Sequence, residues 1–322
     1  MSEQPENLPS AKKRRFRRIQ PWWTIAWLII LISLYSFQTD VTYAFTVWPA
    51  WFWAISGLFL AILSKQWRIW LCLSWLIFGF FFVDEVKSYP RQLLPAPESN
   101  LRVVSLNCAG GTLAAAEEVV KEKPDLILLQ ESPSRKDLEK LARDVFGADG
   151  SFLAGPDASI VAKGKLKPIV DRRATDFVAA EWTDVQGRTL QVVSLRLNPP
   201  SMRIDLFNPE AWSEFATNRR NRRQEVVDMA LSLQNLGVKP DILGGDFNTP
   251  PDKNVQTPIV ENLSDSFGRV GVGYGATCVN PYPCVVRIDQ IWHSAKLKAT
   301  RARVKATENS DHRMLIADFV RN

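Results

Sequence analysis

Residues 241–251 read DILGGDFNTPP, a short apolar run followed by two glycines and then by two polar residues, Asp246 and Asn248. Apolar runs of this length, bounded by glycine and polar residues, predict buried β-strands. Such a strand would end at Asp246 and carry its carboxylate to the edge of a sheet, where a rigid scaffold can hold functional groups together.

Polar residues stand at the ends of other apolar runs as well. They are Asn107 after LRVVSL, Glu131 after PDLILLQ, Asp289 within VVRIDQIW, and the pair Asp311 and His312 before RMLIADFV. Carboxylates that meet at one edge repel one another, so they need a cation nearby to stay ionised together. Oxygen ligands without paired Cys or His favour Mg²⁺ or Mn²⁺ over zinc. Such a cation beside a histidine suits phosphoester hydrolysis, in which carboxylate and imidazole move the proton or orient water.

Strand-like and helix-like segments are mixed from residue 101 to the end of the chain. The predicted strands are 101–106, 126–129, 159–162, 177–182, 190–197, 241–243, 285–292 and 313–320, and the predicted helices are 113–122, 134–146 and 219–236. This mixture, which includes adjacent strand pairs, predicts a mixed sheet layered with helices.

Five segments together resemble the motifs of the endonuclease/exonuclease/phosphatase superfamily. They are VVSLNCAGG, PDLILLQES, ILGGDFNTPP, RIDQIWHS and SDHRMLIADF, which occur in the family's order across residues 103–319. This metal-dependent group contains pancreatic-type deoxyribonucleases, abasic-site endonucleases, neutral sphingomyelinases and inositol polyphosphate 5-phosphatases. The resemblance implies an α/β (α+β) fold, a four-layer α/β/β/α sandwich of two mixed sheets, with the site at one edge.

The resemblance also implies a role for most of these polar residues. Glu131 matches the family's principal metal ligand, with Asn107 beside it and Asp311 as a further carboxylate near a Mg²⁺ or Mn²⁺ ion. Asp246 matches the residue that orients or deprotonates the attacking water, and Asn248 the residue that steadies the phosphate or the leaving oxygen.

His312 matches the catalytic imidazole, and Asp289 the acid that fixes its tautomer, a pairing that also makes the imidazole hold its proton more readily. The sequence departs from the family at Arg196, where a histidine is usual before the leucine. An arginine can bind a phosphate with two hydrogen bonds, so we assign phosphate binding to Arg196 together with Asn248 and Asn107. It cannot shuttle a proton, because it stays charged.

The first ninety residues have a different character. Three apolar runs predict transmembrane spans at about 21–37, 43–64 and 67–83, although the first and third are short for a bilayer. A cleaved signal peptide is the alternative for the first run, but no small-residue cleavage site follows it. The tail at 1–20 is expected to be disordered, and its six basic residues against two acidic ones give a net charge of +4 that predicts a cytoplasmic N-terminus.

Three spans would place everything after them outside the cytoplasm. We therefore expect a multi-pass protein of the cell (inner) membrane, with a linker at 84–100 and an extracytoplasmic catalytic domain at 101–322. If the third run only lies in the membrane interface, the domain would instead be cytoplasmic.

The net charge of the 322-residue chain is +6, and subtracting the +4 of the tail leaves +2 on residues 21–322. The composition excludes a disordered or collagen-like chain. We predict a membrane-anchored, divalent-metal-dependent phosphoesterase that hydrolyses a phosphodiester or phosphomonoester by metal- and Asp/His-assisted attack of water. The alternatives are a membrane-tethered nuclease acting on DNA or RNA, and a catalytically silent binding module.

The expected partners are a phosphate-ester substrate, either a lipid head group or a nucleic acid, and the lipid bilayer. The sequence also contains an arginine cluster and a cysteine pair, whose roles it does not decide. The arginines at 219, 220, 222 and 223 either steer a polyanion or form a solvated face paired with Glu214 and Glu225. Cys278 and Cys284 would form a disulfide in an oxidising compartment.

Overall fold

The structure is a computed structural model that describes residues 11–169, 176–199, 203–278 and 285–321, with side chains from residue 21 onward. The helices are α1 (Ala11–Phe37), α2 (Tyr43–Thr46), α3 (Ala50–Leu63), α4 (Arg68–Phe82), α5 (Asp84–Arg91), α6 (Leu113–Glu118), α7 (Arg135–Phe146), α8 (Pro209–Asn235), α9 (Lys253–Val260) and α10 (Ser266–Val270). The strands are β1 (Leu101–Asn107), β2 (Leu126–Gln130), β3 (Gly150–Ala154), β4 (Ala158–Lys163), β5 (Lys165–Ile169), β6 (Phe177–Thr183), β7 (Thr189–Arg196), β8 (Ile242–Asp246), β9 (Ser264–Asp265), β10 (Gly271–Val272), β11 (Asp289–His293), β12 (Leu297–Lys305) and β13 (Met314–Arg321).

The strands form two mixed sheets. One has seven strands in the order β10-β12-β13-β1-β2-β4-β3, and the other has six in the order β5-β6-β7-β8-β11-β9. A continuous apolar core that includes Val103, Leu128, Val192 and Ile291 lies between them. The predicted pairing of two mixed sheets is confirmed.

Helices cover the outer faces of both sheets, which gives the four layers that the sequence predicts. Leu138 and Leu141 of α7 and two alanines of α6 pack on the seven-stranded sheet. Val226 and Met229 of α8 pack on the six-stranded sheet, with Val255 of α9 beside them. Because each sheet is buried on both faces, its strands are mostly apolar in sequence.

The local sequence explains where the two long domain helices begin. The side chain of Ser134 accepts a hydrogen bond from the backbone N–H of Asp137 at the start of α7. At the start of α8, Asn208 accepts one from Glu210, and Pro209 occupies the first helical position, which needs no N–H donor. The long helix α8 is predicted to begin near residue 219, but these caps start it ten residues earlier.

The sheet register brings the strand ends to one edge. Strand β1 runs parallel to β2, and β7 runs parallel to β8, so the last residues of all four lie at the carboxyl end of their sheets. Strands β11 and β13 run antiparallel to β8 and β1 and therefore begin at that same edge. In the register, Asp246 pairs with Asp289 on one side and with Arg196 on the other.

The N-terminal helices differ in part from the sequence prediction. The sequence predicts disorder for the tail at 1–20. Residues 1–10 of this tail lie outside the described residues, whereas residues 11–20 form the first part of α1. The second apolar run, predicted as one span at 43–64, is divided into α2 and α3 by Pro49, which precedes the first residue of α3. The predicted linker at 84–100 begins with a further helix, α5.

Among the described residues, no helix alone is both long and apolar enough to cross a membrane. Helices α4 and α5 reach the required length only as a pair, and they are bent by 83° where they meet. Pro21–Phe37 and Ala50–Leu63 are shorter apolar helices.

Candidate active site at the edge of the sheets

Asp246 occupies the centre of the site, at the end of β8. The preceding Gly245 has a φ of +141°, and a Cβ atom there would lie 1.9 Å from the carbonyl oxygen of Leu195, so only glycine allows β8 to approach β7 this closely. Asn248 has a φ of +51° and donates its backbone N–H to Asp246 at 2.8 Å. The GGDFN turn therefore fixes the direction of the Asp246 carboxylate.

His312 and Asp289 form a hydrogen-bonded pair beside Asp246. Nδ1 of His312 lies 2.9 Å from Oδ2 of Asp289, and Nε2 lies 4.0 Å from Oδ2 of Asp246. Asp289 is fully buried, and its Oδ1 has no hydrogen-bond partner among the described residues. The Oγ1 of Thr277 accepts hydrogen bonds from the backbone N–H groups of Ile288 and Asp289, which holds the start of β11 in place.

The surroundings of this cluster raise two pKa values, those of Asp246 and His312. Burial and the nearby Asp289 raise the pKa of Asp246 above its ordinary range. Burial alone would lower the pKa of His312, but the charges of Asp289 and Asp246 outweigh it and raise that pKa to about 10. The cluster thus contains a carboxylate with increased proton affinity and an imidazole that holds its proton at neutral pH.

Glu131 and Asn107 lie on the other side of Asp246. The amide nitrogen of Asn107 lies 3.2 Å from Glu131 and 3.0 Å from Asp246, so both carboxylates converge on one donor. Glu131 also accepts the N–H of Gly110 at 2.6 Å. Burial opposes ionisation of Glu131, but the bonds from Gly110 and Asn107 and the charge of Arg196 lower its pKa. Glu131 has a φ of +44°, a sparsely populated backbone conformation that these contacts hold in place.

Arg196 joins two carboxylates of the site. One terminal nitrogen donates to Glu131 at 2.8 Å and the other to Asp157 at 2.7 Å. The prediction that Arg196 binds a phosphate with two hydrogen bonds therefore requires it to leave at least one of these partners. The amide nitrogen of Asn248, also predicted to contact phosphate, donates to the carbonyl of Leu197 at 2.6 Å.

A pocket of about 220 Å³ opens over these groups. Its wall includes six of the predicted site residues, which are Glu131, Arg196, Asp246, Asn248, Asp311 and His312. Asn107 and Asp289 lie behind them, each hydrogen-bonded to a residue of the wall. The structure therefore brings all eight predicted residues together, with Asp311 exposed at the rim.

Glu131 and Asp311 offer carboxylate oxygens, the ligands that Mg²⁺ and Mn²⁺ prefer. Asn107 turns its amide nitrogen toward Glu131, and its oxygen accepts the N–H of Ala109 at 3.0 Å, so it would bind a cation only after its side chain rotates. In addition, Asp246, Asp289 and His312 carry ligand atoms within 4.8 Å of one another. Because Nδ1 of His312 is already hydrogen-bonded to Asp289, we interpret that trio as a proton-transfer group and expect the cation on Glu131 and Asn107.

Two residues of the site have no signal in the sequence. Asp157 lies in a turn before β4 and reaches Arg196 only through the fold. Val47 comes from the N-terminal segment and forms part of the wall of the pocket. His293, to which the sequence gives no role, is buried, with Nδ1 3.1 Å from the hydroxyl of Ser266.

The arginines of α8 form the solvated face, one of the two sequence interpretations, only in part, because Arg220 is exposed and Arg223 is half-buried. Arg219 and Arg222 are buried, and Arg219 donates to Asp252 at 2.9 Å and to Asp40 at 2.5 Å. Glu225 does pair with Arg222, at 2.6 Å. Cys284 lies outside the described residues, so its disulfide with Cys278 stays a prediction.

Comparisons with known proteins agree with this architecture. A family model described as the Endonuclease/Exonuclease/phosphatase family matches residues 104–312. A mannosyl-6-phosphatase from Bacteroides thetaiotaomicron is similar in structure, with a TM-score of 0.50, 14% identity, and coverage of 69% of this chain and 100% of that one. An endonuclease/exonuclease/phosphatase from Bacteroides vulgatus has a TM-score of 0.52, 13% identity, and coverage of 70% of this chain and 100% of its own. A search of the curated proteins found no match.

Proposed function

The chain belongs to the endonuclease/exonuclease/phosphatase family, and we propose that it is a divalent-metal-dependent phosphoesterase that works at a membrane. The observation that supports hydrolysis most directly is the buried Asp246, Asp289 and His312 cluster, of which Asp246 and His312 line the same pocket as Glu131. Perturbed carboxylate and imidazole groups that meet in a cleft are typical of acid–base catalysis.

Glu131 would hold the cation, with Asp311 at the rim, and Asn107 would add its amide oxygen after a rotation of its side chain. A bound Mg²⁺ or Mn²⁺ supplies positive charge against the negative charge of the phosphate and of the transition state. The carboxylate of Glu131 suits this role, because its lowered pKa keeps it ionised at neutral pH.

Asp246 would orient the attacking water and accept its proton. Its raised pKa makes it a stronger base than an exposed carboxylate, and the bond from the backbone of Asn248 holds it in one orientation. The oxygen of water then forms a bond to phosphorus on the face opposite the leaving group.

His312 would complete the reaction at the leaving oxygen. As the bond between phosphorus and the leaving oxygen breaks, Nε2 donates its proton to that oxygen, while Nδ1 stays hydrogen-bonded to Asp289. The sum is one water and one phosphodiester converted into a phosphomonoester and an alcohol. The proton on Asp246 then returns through solvent to His312.

The proposal of a membrane location is supported by the surface of the N-terminal helices. Large apolar side chains stand exposed on α1, α3 and α4, among them Trp22, Phe59, Ile69, Trp70 and Phe81. Large exposed apolar patches are rare on monomeric proteins in water and mark sites of interaction with other molecules or with membranes. We keep the proposed topology, a multi-pass anchor in the cell membrane with the domain outside the cytoplasm.

The first test uses the purified full chain in detergent with a generic phosphodiester, bis(p-nitrophenyl) phosphate. We expect hydrolysis that depends on Mg²⁺ or Mn²⁺ and that falls at least about 100-fold in Glu131→Gln and in His312→Ala. The exposed Glu261→Gln serves as the matched control, and thermal unfolding of each variant checks the fold. Undiminished turnover in both site variants would contradict the catalytic roles proposed for Glu131 and His312.

The alternative of a catalytically silent module gives a different result. It predicts no metal-dependent turnover of any phosphoester by the wild-type chain, and none after Arg196→His. Thiol labelling of single cysteines placed in the domain of intact cells tests the topology, and labelling only after lysis would contradict an extracytoplasmic domain.

A further inference from the structure

A cavity of about 610 Å³ lies between the N-terminal helices and the catalytic domain. Its volume falls within the range of small-molecule binding sites, about 300–1,000 Å³. The family match begins at residue 104, so one side of this cavity is formed by residues that the match does not include.

The cavity adjoins the pocket of the candidate active site. Val47, Pro250 and Val286 contribute to the walls of both. Pro250 follows the GDFN turn by two residues, and Val286 precedes Asp289 by three. Only these shared side chains therefore separate a molecule in the cavity from the groups proposed to carry out hydrolysis.

Apolar side chains line both sides of the cavity. The helical side includes Trp48, Trp51, Phe81 and Phe82, and the domain side includes Pro250, Phe267, Val285 and Val286. The lining also contains charged residues of both signs, and Arg287 is paired with Asp84 and Asp265. The apolar parts of the walls match a hydrocarbon chain, and the charged part of the same molecule would lie in the adjoining active-site pocket.

Ion pairs hold the helices against the domain at this place. Asp40, in the loop after α1, accepts hydrogen bonds from Arg219 at 2.5 Å and from Arg223 at 2.6 Å. Beyond it, the hydroxyl of Tyr43 lies 2.7 Å from that of Thr249, in the loop that follows Asn248.

A second set of contacts lies at the other end of the helical segment. Arg287 donates to Asp84 at 3.3 Å and to Asp265 at 2.6 Å, and so ties the start of α5 to the domain. The cavity is thus bounded by fixed contacts at both of its ends.

We propose that this cavity binds the hydrocarbon chain of an amphiphilic phosphoester whose phosphate reaches Asp246 and His312. The inference rests on the proposed function and adds the substrate class, a phosphoester that carries a lipid chain. This substrate class also explains why the helices are apolar. The helices would contact the membrane, and an amphiphilic substrate would enter the cavity from there. A nucleic acid has no hydrocarbon chain to fill the apolar wall.

The test compares two substrates that have the same scissile bond, methyl p-nitrophenyl phosphate and hexadecyl p-nitrophenyl phosphate, with the full chain in dodecyl maltoside micelles. We expect kcat/KM to be at least about ten-fold higher for the hexadecyl ester. Ser36→Trp places a large side chain at the exposed end of α1, where Ser36 lines the cavity, and should abolish this preference while the methyl ester is still hydrolysed. Ser56→Trp, exposed on α3 and outside the cavity, is the matched control.

A second measurement does not depend on turnover. A hexadecyl phosphonate with a diazirine at the end of its chain should label residues 46–51 or 81–83 of the His312→Ala variant, and Ser36→Trp should reduce that labelling. Equal kcat/KM for both esters, or a preference that Ser36→Trp leaves unchanged, would overturn the inference and leave the proposed function standing. Absence of turnover of the methyl ester would count against the proposed function, whatever the labelling shows.

Discussion

Arg196 holds two carboxylates of the candidate active site at once, at the position where the motif resemblance leads one to expect a histidine. Its guanidinium lies between Glu131 and Asp157, and its Nε has no hydrogen-bond partner among the described residues. A histidine at this position would bind phosphate and exchange a proton, whereas an arginine supplies a permanent charge. We infer that Arg196 positions Glu131 and offsets the negative charge of the pocket.

Arg196→Ala tests this role. Without the guanidinium, Glu131 keeps only its bonds to Gly110 and Asn107, so its orientation loosens and the charge of the pocket becomes more negative. We expect kcat/KM for bis(p-nitrophenyl) phosphate to fall about ten-fold or more, and the metal concentration at half-maximal rate to change. Arg143→Ala, which removes an exposed pair with Glu139, should change neither quantity. Wild-type kinetics in Arg196→Ala would show that the residue is structural only.

For single residues, the sequence predicts which side chains belong to the site better than it predicts the contacts between them. Asp246, Asp289 and His312 stand beside recognisable strands, so their convergence follows from strand direction alone. Asp157 could not be predicted, because nothing in its turn marks it as the partner of a residue 39 positions away.

Among the strands, the longer apolar ones are predicted, whereas short strands such as β3 and the charged strand β12 are missed. Each of the eight predicted strands corresponds to an observed one, although 285–292 narrows to Asp289–His293. Strand β12, which was not predicted, has the sequence LKATRARVK. Its four charged residues obscure the alternation of apolar and polar residues that is typical of a strand. Two of them, Arg303 and Lys305, are paired with Glu122, which a single sequence does not reveal. The division of the second apolar run at Pro49 is visible in the sequence, since the residue before a proline disfavours helix.

The contacts of Asp40 with α8 join the helical segment to the domain and can be tested by substitution. Asp40→Ala removes one partner of Arg219, which is 2% exposed, and also the partner of Arg223. We expect the free energy of unfolding to fall by about 1–3 kcal/mol, because a buried arginine loses a charged acceptor. Thermal unfolding and protease cleavage between residues 92 and 100 would measure it, with Asp144→Ala, on the exposed face of α7, as the control. Equal unfolding temperatures for the two variants would mean that the Asp40 contacts do not hold the helices to the domain.

For the whole molecule, the distribution of charge bears on the choice between a lipid-like substrate and a nucleic acid. Of the net charge of +6, +4 lies in residues 1–20, far in sequence from the site. The arginines of α8, the densest basic stretch of the domain, are largely engaged within the chain. Arg219 and Arg223 bind Asp40, and Arg222 binds Glu225. Arg219, Arg222 and Arg223 are therefore already paired within the chain and would have to leave these partners to follow a phosphate backbone.

The dependence of DNA binding and of hydrolysis on salt concentration tests the choice between the two substrate classes. A protein that makes 6–10 phosphate contacts loses roughly 10³–10⁵ in affinity for DNA between about 50 and 200 mM salt. We expect this chain instead to bind single-stranded DNA weakly at the lower salt, and its kcat/KM for hexadecyl p-nitrophenyl phosphate to change less than about three-fold, because apolar burial is not screened by ions. Tight DNA binding that collapses over the same range, together with DNA cleavage lost in His312→Ala, would make the chain a nuclease and would leave its apolar cavity without a substrate.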